Sequence, residues 1–200
     1  MRILATGDLH GDIDLVNSLI SFVANNPVDV LLLCGDIFCD AYYDSKIVLR
    51  LKSLNVRIYF VPGNHESIIN YELLKDNGFK SLHGSFAICD DVGLFGCGFG
   101  EVGFYRLSNE EMKNILISSN SKLEKNLSKR IMVTHIHPKG SNIEKFSSIV
   151  KGSSAITEAI FLLKPDYLFC SHVHEAKGYE EIMGQTKVVN VSKCFKLFNI

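Results

Sequence analysis

The sequence predicts an α/β protein, with a largely parallel sheet in its first half and more antiparallel strands in its second. Two observations carry this. Short β-branched runs alternate with helix-like stretches through the first half, which is the pattern of βαβ units. The second half has closely spaced, glycine-rich apolar runs and a tail of alternating residues. No repeat, low-complexity segment or long linker divides the 200 residues, so one domain over 1–200 is expected.

In chain order, residues 2–6 (RILAT) read as a strand, followed by a helix over about 12–25. Residues 28–34 (VDVLLLC) and 56–61 (VRIYFV) are the next strands, with helices near 43–54 and 67–76 after them. Two apolar runs at 79–88 and 93–97 look like strands joined by a turn at Asp90, Asp91 and Gly93. A polar helix over 108–127 follows, either a solvated face or a lid, and then a strand at 130–134. A helix near 153–163 is ended by Pro165, and residues 166–170 form a strand. The tail 178–198 suggests two or three antiparallel strands.

Composition narrows the function classes. Hydrophobic residues at 46% with 22% charged describe a folded chain rather than a disordered one. A net charge of −1 gives no general pull on nucleic acid, so a nucleic-acid partner is not favoured. No apolar run reaches the ~18 residues of a membrane span, and the apolar start is too short for a signal peptide. None of the six cysteines forms a CxxC pair, which argues against a zinc ribbon. A cytoplasmic protein with reduced thiols and no membrane partner is expected.

The chemistry sits where the strands end. Five apolar runs terminate in groups that bind hard or borderline metals: Asp8 and His10, Asp36, Asn64 and His65, His135, and His172 and His174. In open α/β sheets, ligands bind beyond the carboxyl ends of the strands, so strands running one way would bring the clusters to one edge. Seven residues are candidate ligands: Asp8, His10, Asp36, Asn64, His135, His172 and His174. Their mixture of oxygen and nitrogen donors suits Mn²⁺, Fe²⁺ or Zn²⁺ better than Ca²⁺. Seven are too many for one open site. They suit two divalent ions about 3.5–4 Å apart with a bridging carboxylate.

GDLHGD, GDIFCD, GNHE, TH (134–135) and SHVH (171–174), in this order, resemble the calcineurin-like metallophosphoesterase signature, and small archaeal and bacterial phosphohydrolases most. The resemblance runs from residue 7 to 174. It implies a two-sheet β-sandwich flanked by helices (α/β/β/α). It implies two divalent ions, manganese foremost with iron, zinc or nickel as alternatives. Asp8, His10 and His174 would bind one ion, Asn64, His135 and His172 the other, and Asp36 both. His65 would stay off the metals and protonate the leaving oxygen, oriented by Asp40. A metal-bridging hydroxide would bring the centre to a charge of +1 and attack phosphorus in line.

The chain departs from the pattern in places. Ala41 and Pro62 stand where related phosphatases carry arginines that clamp dianionic phosphate. This favours a phosphodiester substrate, small and nucleotide-like, over a phosphomonoester. Ser171 replaces the usual glycine, and Asn190, Val191 and Ser192 replace Asn-Pro-Gly, so no site residue is expected in the tail. The alternatives are a broad phosphomonoesterase, a nuclease, or a non-catalytic scaffold. His83 is expected to be structural and His137 to be a loop histidine or a substrate contact. Loops 98–106 and 136–152 are expected to set specificity.

Overall fold

The first apolar runs become strands because both of their faces are covered. In a computed structural model, which describes residues 1–39 and 42–200, β1 (Arg2–Thr6) alternates between two environments. Ile3 and Ala5 face one core with Val30, Leu32 and Cys34 of β2 (Val30–Cys34) and Tyr59 and Val61 of β3 (Arg57–Val61). Leu4, Leu31, Leu33, Ile58 and Phe60 face the opposite way. They pack under α1 (Ile13–Asn25), α2 (Ser45–Lys52) and α3 (Ile68–Asp76). Strands buried on both sides read as continuous apolar runs, which is why these are so plain in the sequence.

The helices start at side-chain caps. Asp12 Oδ1 accepts from the backbone N–H of Asp14 and Leu15, Asp44 accepts from Lys46, and Ser67 Oγ accepts from Asn70. Each satisfies donors that the first helical turn leaves unpaired.

The second half builds a second sheet. Its strands are β5 (Phe86–Cys89), β6 (Val92–Cys97), β7 (Lys129–Thr134), β8 (Tyr167–Cys170), β9 (Glu180–Met183) and β10 (Thr186–Asn190). The run at 79–88 is not one strand. It gives β4 (Lys80–Ser81), parallel to β3, and then turns at Gly84 into β5 of the other sheet. The β5–β6 turn is made by Asp90 and Asp91, with Cys89 opposite Val92, while Gly93 lies inside β6.

The last strand, β11 (Phe195–Asn199), leaves its neighbours and pairs antiparallel with β1. The sheets are therefore ordered β11-β1-β2-β3-β4 and β5-β6-β7-β8-β10-β9. Of the tail strands, β9 and β10 are antiparallel to each other, but β10 runs parallel to β8. The expected α/β/β/α sandwich is what the structure shows. Its inner core joins Ile3, Leu32 and Val61 to Leu94, Val133, Phe169 and Val189.

The outer face of the second sheet is covered by α4 (Asn109–Ser121) and α5 (Ser154–Leu163). A capping box starts α4, with Ser108 Oγ accepting from Glu111 N–H and the Glu111 carboxylate accepting from Ser108 N–H. The helix stops at Ser121 rather than 127. Arg130 donates to Asn120 Oδ1 and to the Glu124 carbonyl, and the turn that follows buries Leu123. With Met112 and Leu116 also buried against β6 and α5, α4 is a packed layer rather than a lid. Among the described residues, no helix is long and apolar enough to cross a membrane.

His83 is a fold histidine. Its Nδ1 accepts from Gly98 N–H at 3.1 Å, and its ring packs edge-on against Tyr71 and Phe99. Burial lowers its pKa to about 4. The folded value lies below the unfolded value near 6.5, so the unfolded chain takes up the proton first. Stability from this site is complete above pH 6.5 and falls as pH drops toward 4. Metal-free protein should therefore lose about 2 kcal/mol more between pH 7 and pH 4.5 than a His83→Gln variant does. Urea midpoints at the two pH values check this, and equal losses in both proteins would contradict it.

Candidate metal centre

The carboxyl ends of β1, β2 and β3 lie side by side because these strands are parallel and in register. Those of β7 and β8 are likewise parallel neighbours in the other sheet. The two sets meet across the sandwich at one edge. His135, just past β7, is fully buried, and its Nδ1 lies 2.9 Å from the Cys34 carbonyl at the end of β2. Ser171, just past β8, donates its hydroxyl to the same carbonyl at 2.6 Å. A serine in place of glycine therefore adds a clasp between the sheets.

The clusters converge. Donor atoms of Asp8, His10 and His174 lie within 4.8 Å of one another, and so do those of Asp36, His135 and His172. A third group joins His10, Asp36 and His65. Asp36 is thus shared, with its Oδ2 3.4 Å from His135 Nε2 and 3.6 Å from His10 Nε2. Asn64 Oδ1 sits 2.8 Å from His135 Nε2. All seven expected ligands, together with His65, meet in this volume. Asp40 lies outside the described residues, and so does Ala41.

Backbone geometry at the site is unusual. Asp8 (φ 53°), His10 (φ 45°), Asp36 (φ 52°) and His172 (φ 77°) all adopt left-handed conformations. Each costs on the order of 1–3 kcal/mol and persists only where surrounding structure enforces it. Here Asp8 N–H donates to Gly35 O, His10 N–H to Asp36 O, and His172 N–H to Asp8 Oδ2. Close packing is also required. A Cβ on Gly63 would lie 2.0 Å from Asp36 Oδ1, and one on Gly35 would lie 2.7 Å from His135 Nδ1.

The electrostatics fit divalent cations. The Cys34 carbonyl can only accept, so His135 Nδ1 carries the proton and Nε2 presents its lone pair. Facing Nε2 are Asn64 Oδ1, Asp36 Oδ2 and His172 Nδ1, the last at 3.1 Å. Asn64 Oδ1 and Asp36 Oδ2 can only accept, so lone pairs gather around this point. Asp8 Oδ1 and His10 Nε2 are buried with no hydrogen-bond partner. Burial raises the pKa of Asp8 above the usual carboxylate range, against the pull of His135. Burial opposes charge on His135 too, but Asp36 and Asp8 outweigh it and hold its pKa above the ordinary value. Burial, helped by the neighbouring histidines, pushes His172 down to about 2, and burial takes His10 to about 4. His10 and His172 are thus held as the neutral imidazoles that a metal requires, whereas a cation entering beside Asp8 and His135 would displace protons that the pocket itself favours.

Two residues outside the expected ligand set also shape the centre. Glu66 is fully buried. Its Oε2 accepts from Asp36 N–H (2.8 Å) and Gly63 N–H (2.6 Å), and its Oε1 from Ile37 N–H (2.7 Å) and Phe38 N–H (3.1 Å). It ties the loop after β2 to the loop after β3. The signal was present as the final letter of GNHE.

Lys193 is a second, and it comes from the tail where no site residue was expected. It lines the same cavity as His10, Asp36, His65 and His174, which has a volume of about 480 Å³. Its backbone N–H donates to Gly7 O, which brings a cation to the mouth of the centre. His137 is a loop histidine, as one of its two readings expects, and it is buried beside His172 with ring centroids 6.4 Å apart. Cys34 and Cys170 are buried thiols whose pKa burial raises, so they act as small apolar residues.

Known proteins agree with this architecture. The chain is similar in structure to TT1561 of Thermus thermophilus, with 16% identity over 99% of this chain and 98% of that one, and a TM-score of 0.75. A dimetal phosphatase from Danio rerio is similar at 11% identity over 95% and 86%, with a TM-score of 0.63. A novel archaeal phosphodiesterase is similar at 16% identity over 95% and 82%, with a TM-score of 0.51. At such identities the likeness establishes the fold. No curated protein matches the sequence. The family model described as calcineurin-like phosphoesterase matches residues 1–176, which include every strand end that builds the centre, and the chain therefore belongs to the calcineurin-like phosphoesterase family.

Proposed function

We propose that this chain is a cytoplasmic phosphodiesterase that cleaves small, nucleotide-like phosphate esters with two divalent ions, manganese foremost. The observation that carries the reading is Asp36, shared between the histidine groups on either side of it. Asp8, His10 and His174 would hold one ion, Asn64, His135 and His172 the other, and Asp36 both. When bound, the ions supply Lewis acidity toward a phosphoryl oxygen and a nucleophile at neutral pH.

The chain's own groups do the rest. His65 lies at the cavity wall, its ring 4.9 Å from that of His10, and its backbone N–H donates to Asp36 Oδ1 at 2.9 Å. From there its imidazole protonates the leaving oxygen. Lys193 attracts the anionic ester. A single ammonium lacks the bidentate grip of the arginines that clamp dianions, which supports a monoanionic diester.

The test uses bis-p-nitrophenyl phosphate and p-nitrophenyl phosphate with Mn²⁺, on wild type and His65→Ala. The diester should be preferred. The variant should lose about 10²–10⁴-fold in kcat while binding metal as the wild type does. Preference for the monoester would move the assignment to a phosphomonoesterase. Loss of a metal ion in the variant would make His65 a ligand, which the third donor group also allows.

A further inference from the structure

Beside the metal centre lies a second cavity, of about 320 Å³, that shares His172 and Val150 with it. Its walls are apolar: Val102, Met112, Ile136, Ile149 and Val150. Its mouth is charged, with Glu101 and Lys151. We propose that this cavity is the subsite for one esterifying group of the substrate, and that the group carries a planar heteroaromatic ring such as a nucleobase. The proposal rests on the phosphoesterase reading for its orientation and extends it to a substrate class.

Three observations support it. The first is contiguity. His172 belongs to both spaces, so a phosphate seated at the centre places one of its ester oxygens at the entrance of the apolar cavity. The second is size. Small-molecule pockets span roughly 300–1,000 Å³, so this one holds a single ring system rather than a polymer.

The third is chemistry. The walls come from helix α4, which supplies Met112, and from two separate loops. Val102 lies between β6 and α4, and Ile149 and Val150 lie before α5. Val102 and Ile149 are 56% and 87% exposed, which leaves their apolar surface available to a ligand. A ring buries its faces against such surfaces, while its edge needs hydrogen-bond partners. Glu101 accepts from Asn109 through one carboxylate oxygen, and the Lys151 ammonium donates to the Ser148 carbonyl at 3.3 Å. Both are thereby held at the mouth with further bonding capacity, as acceptor and donor respectively. A purely aliphatic group would leave them unmatched, and a bare sugar would leave the walls bare.

The experiment is calorimetric binding of AMP, ribose 5-phosphate and adenosine to wild type and to the double variant Val102→Ser/Ile149→Ser. Neither residue touches the metal centre, and both lie on the surface. AMP and ribose 5-phosphate are measured both with and without Mn²⁺, and adenosine without metal. AMP should bind about tenfold or more tightly than ribose 5-phosphate, and the double variant should remove most of that advantage while leaving ribose 5-phosphate unchanged. Adenosine should bind wild type measurably and the variant more weakly.

Equal affinity for AMP and ribose 5-phosphate, or an advantage that survives the double substitution, overturns the subsite. Adenosine separates the two readings. If it binds in a Val102- and Ile149-dependent way while neither phosphate gains from metal, the subsite stands and the phosphoesterase reading falls. If both phosphates bind with metal and the ring adds nothing, the subsite falls alone.

Discussion

An Asp36→Asn variant should lose turnover by a factor of about 10³ or more while keeping its fold. The side chain stands between the two histidine groups, so its charge serves both proposed ions at once. Asparagine keeps an oxygen that can accept from the His65 backbone N–H, as Asp36 Oδ1 does at 2.9 Å, and it fills the same volume. What disappears is one negative charge between two cations. Metal-bound transition states draw several kcal/mol from such placement, at a factor of ten per ~1.4 kcal/mol. The metal-free variant should melt within a few degrees of wild type, because no packing is lost. Steady-state hydrolysis and a melting curve together check the pair of results. A variant within tenfold of wild-type activity would mean that Asp36 does not join the ions.

The largest effect on stability is expected at Glu66. Its carboxylate takes four backbone N–H donors, with no water-facing alternative for any of them. Alanine would leave those donors buried and unpaired, at roughly 1–3 kcal/mol each before relaxation. Partial collapse and entering water reduce the sum, so a loss of about 3–5 kcal/mol is expected. Glutamine should lose less, because only its amide nitrogen faces donors that it cannot accept from. Activity should fall as well, since Glu66 holds the N–H of Asp36 and of Gly63 in place. Urea unfolding of metal-free protein at pH 8 measures this. A cost below about 1 kcal/mol for alanine would show that the two loops hold each other without the carboxylate.

Why the centre was legible and its surroundings were not has a physical explanation. Asp8, His10, Asp36, Asn64, His135, His172 and His174 each follow an apolar run that is buried on two faces. Such runs have sharp ends, and polar residues at those ends stand out. What lies between the strands leaves no periodic trace. The alternation of 79–88 does not say that Lys80 and Ser81 join one sheet and Phe86 the other, because a strand's own pattern is the same in either. The crossing of β11 to β1 is likewise a long-range pairing with no local signal. Polar residues past Ser121 suit a helix, so the sequence extends α4 to 127, whereas Arg130 and the burial of Leu123 end it. Glu66 and Ser171 act through backbone groups, whose positions only the fold reveals. Lys193 reaches the centre because its N–H bonds to Gly7 O, a contact between the two ends of the chain.

The central claim is two ions in one working centre, and titration of metal-free protein with Mn²⁺ tests it most directly. Heat and the hydrolysis of bis-p-nitrophenyl phosphate would be followed together. Binding should saturate at two equivalents per chain, with hydrolysis rising mainly as the second is taken up. Saturation of both signals at one equivalent, or binding without any turnover of phosphate esters, would contradict the account.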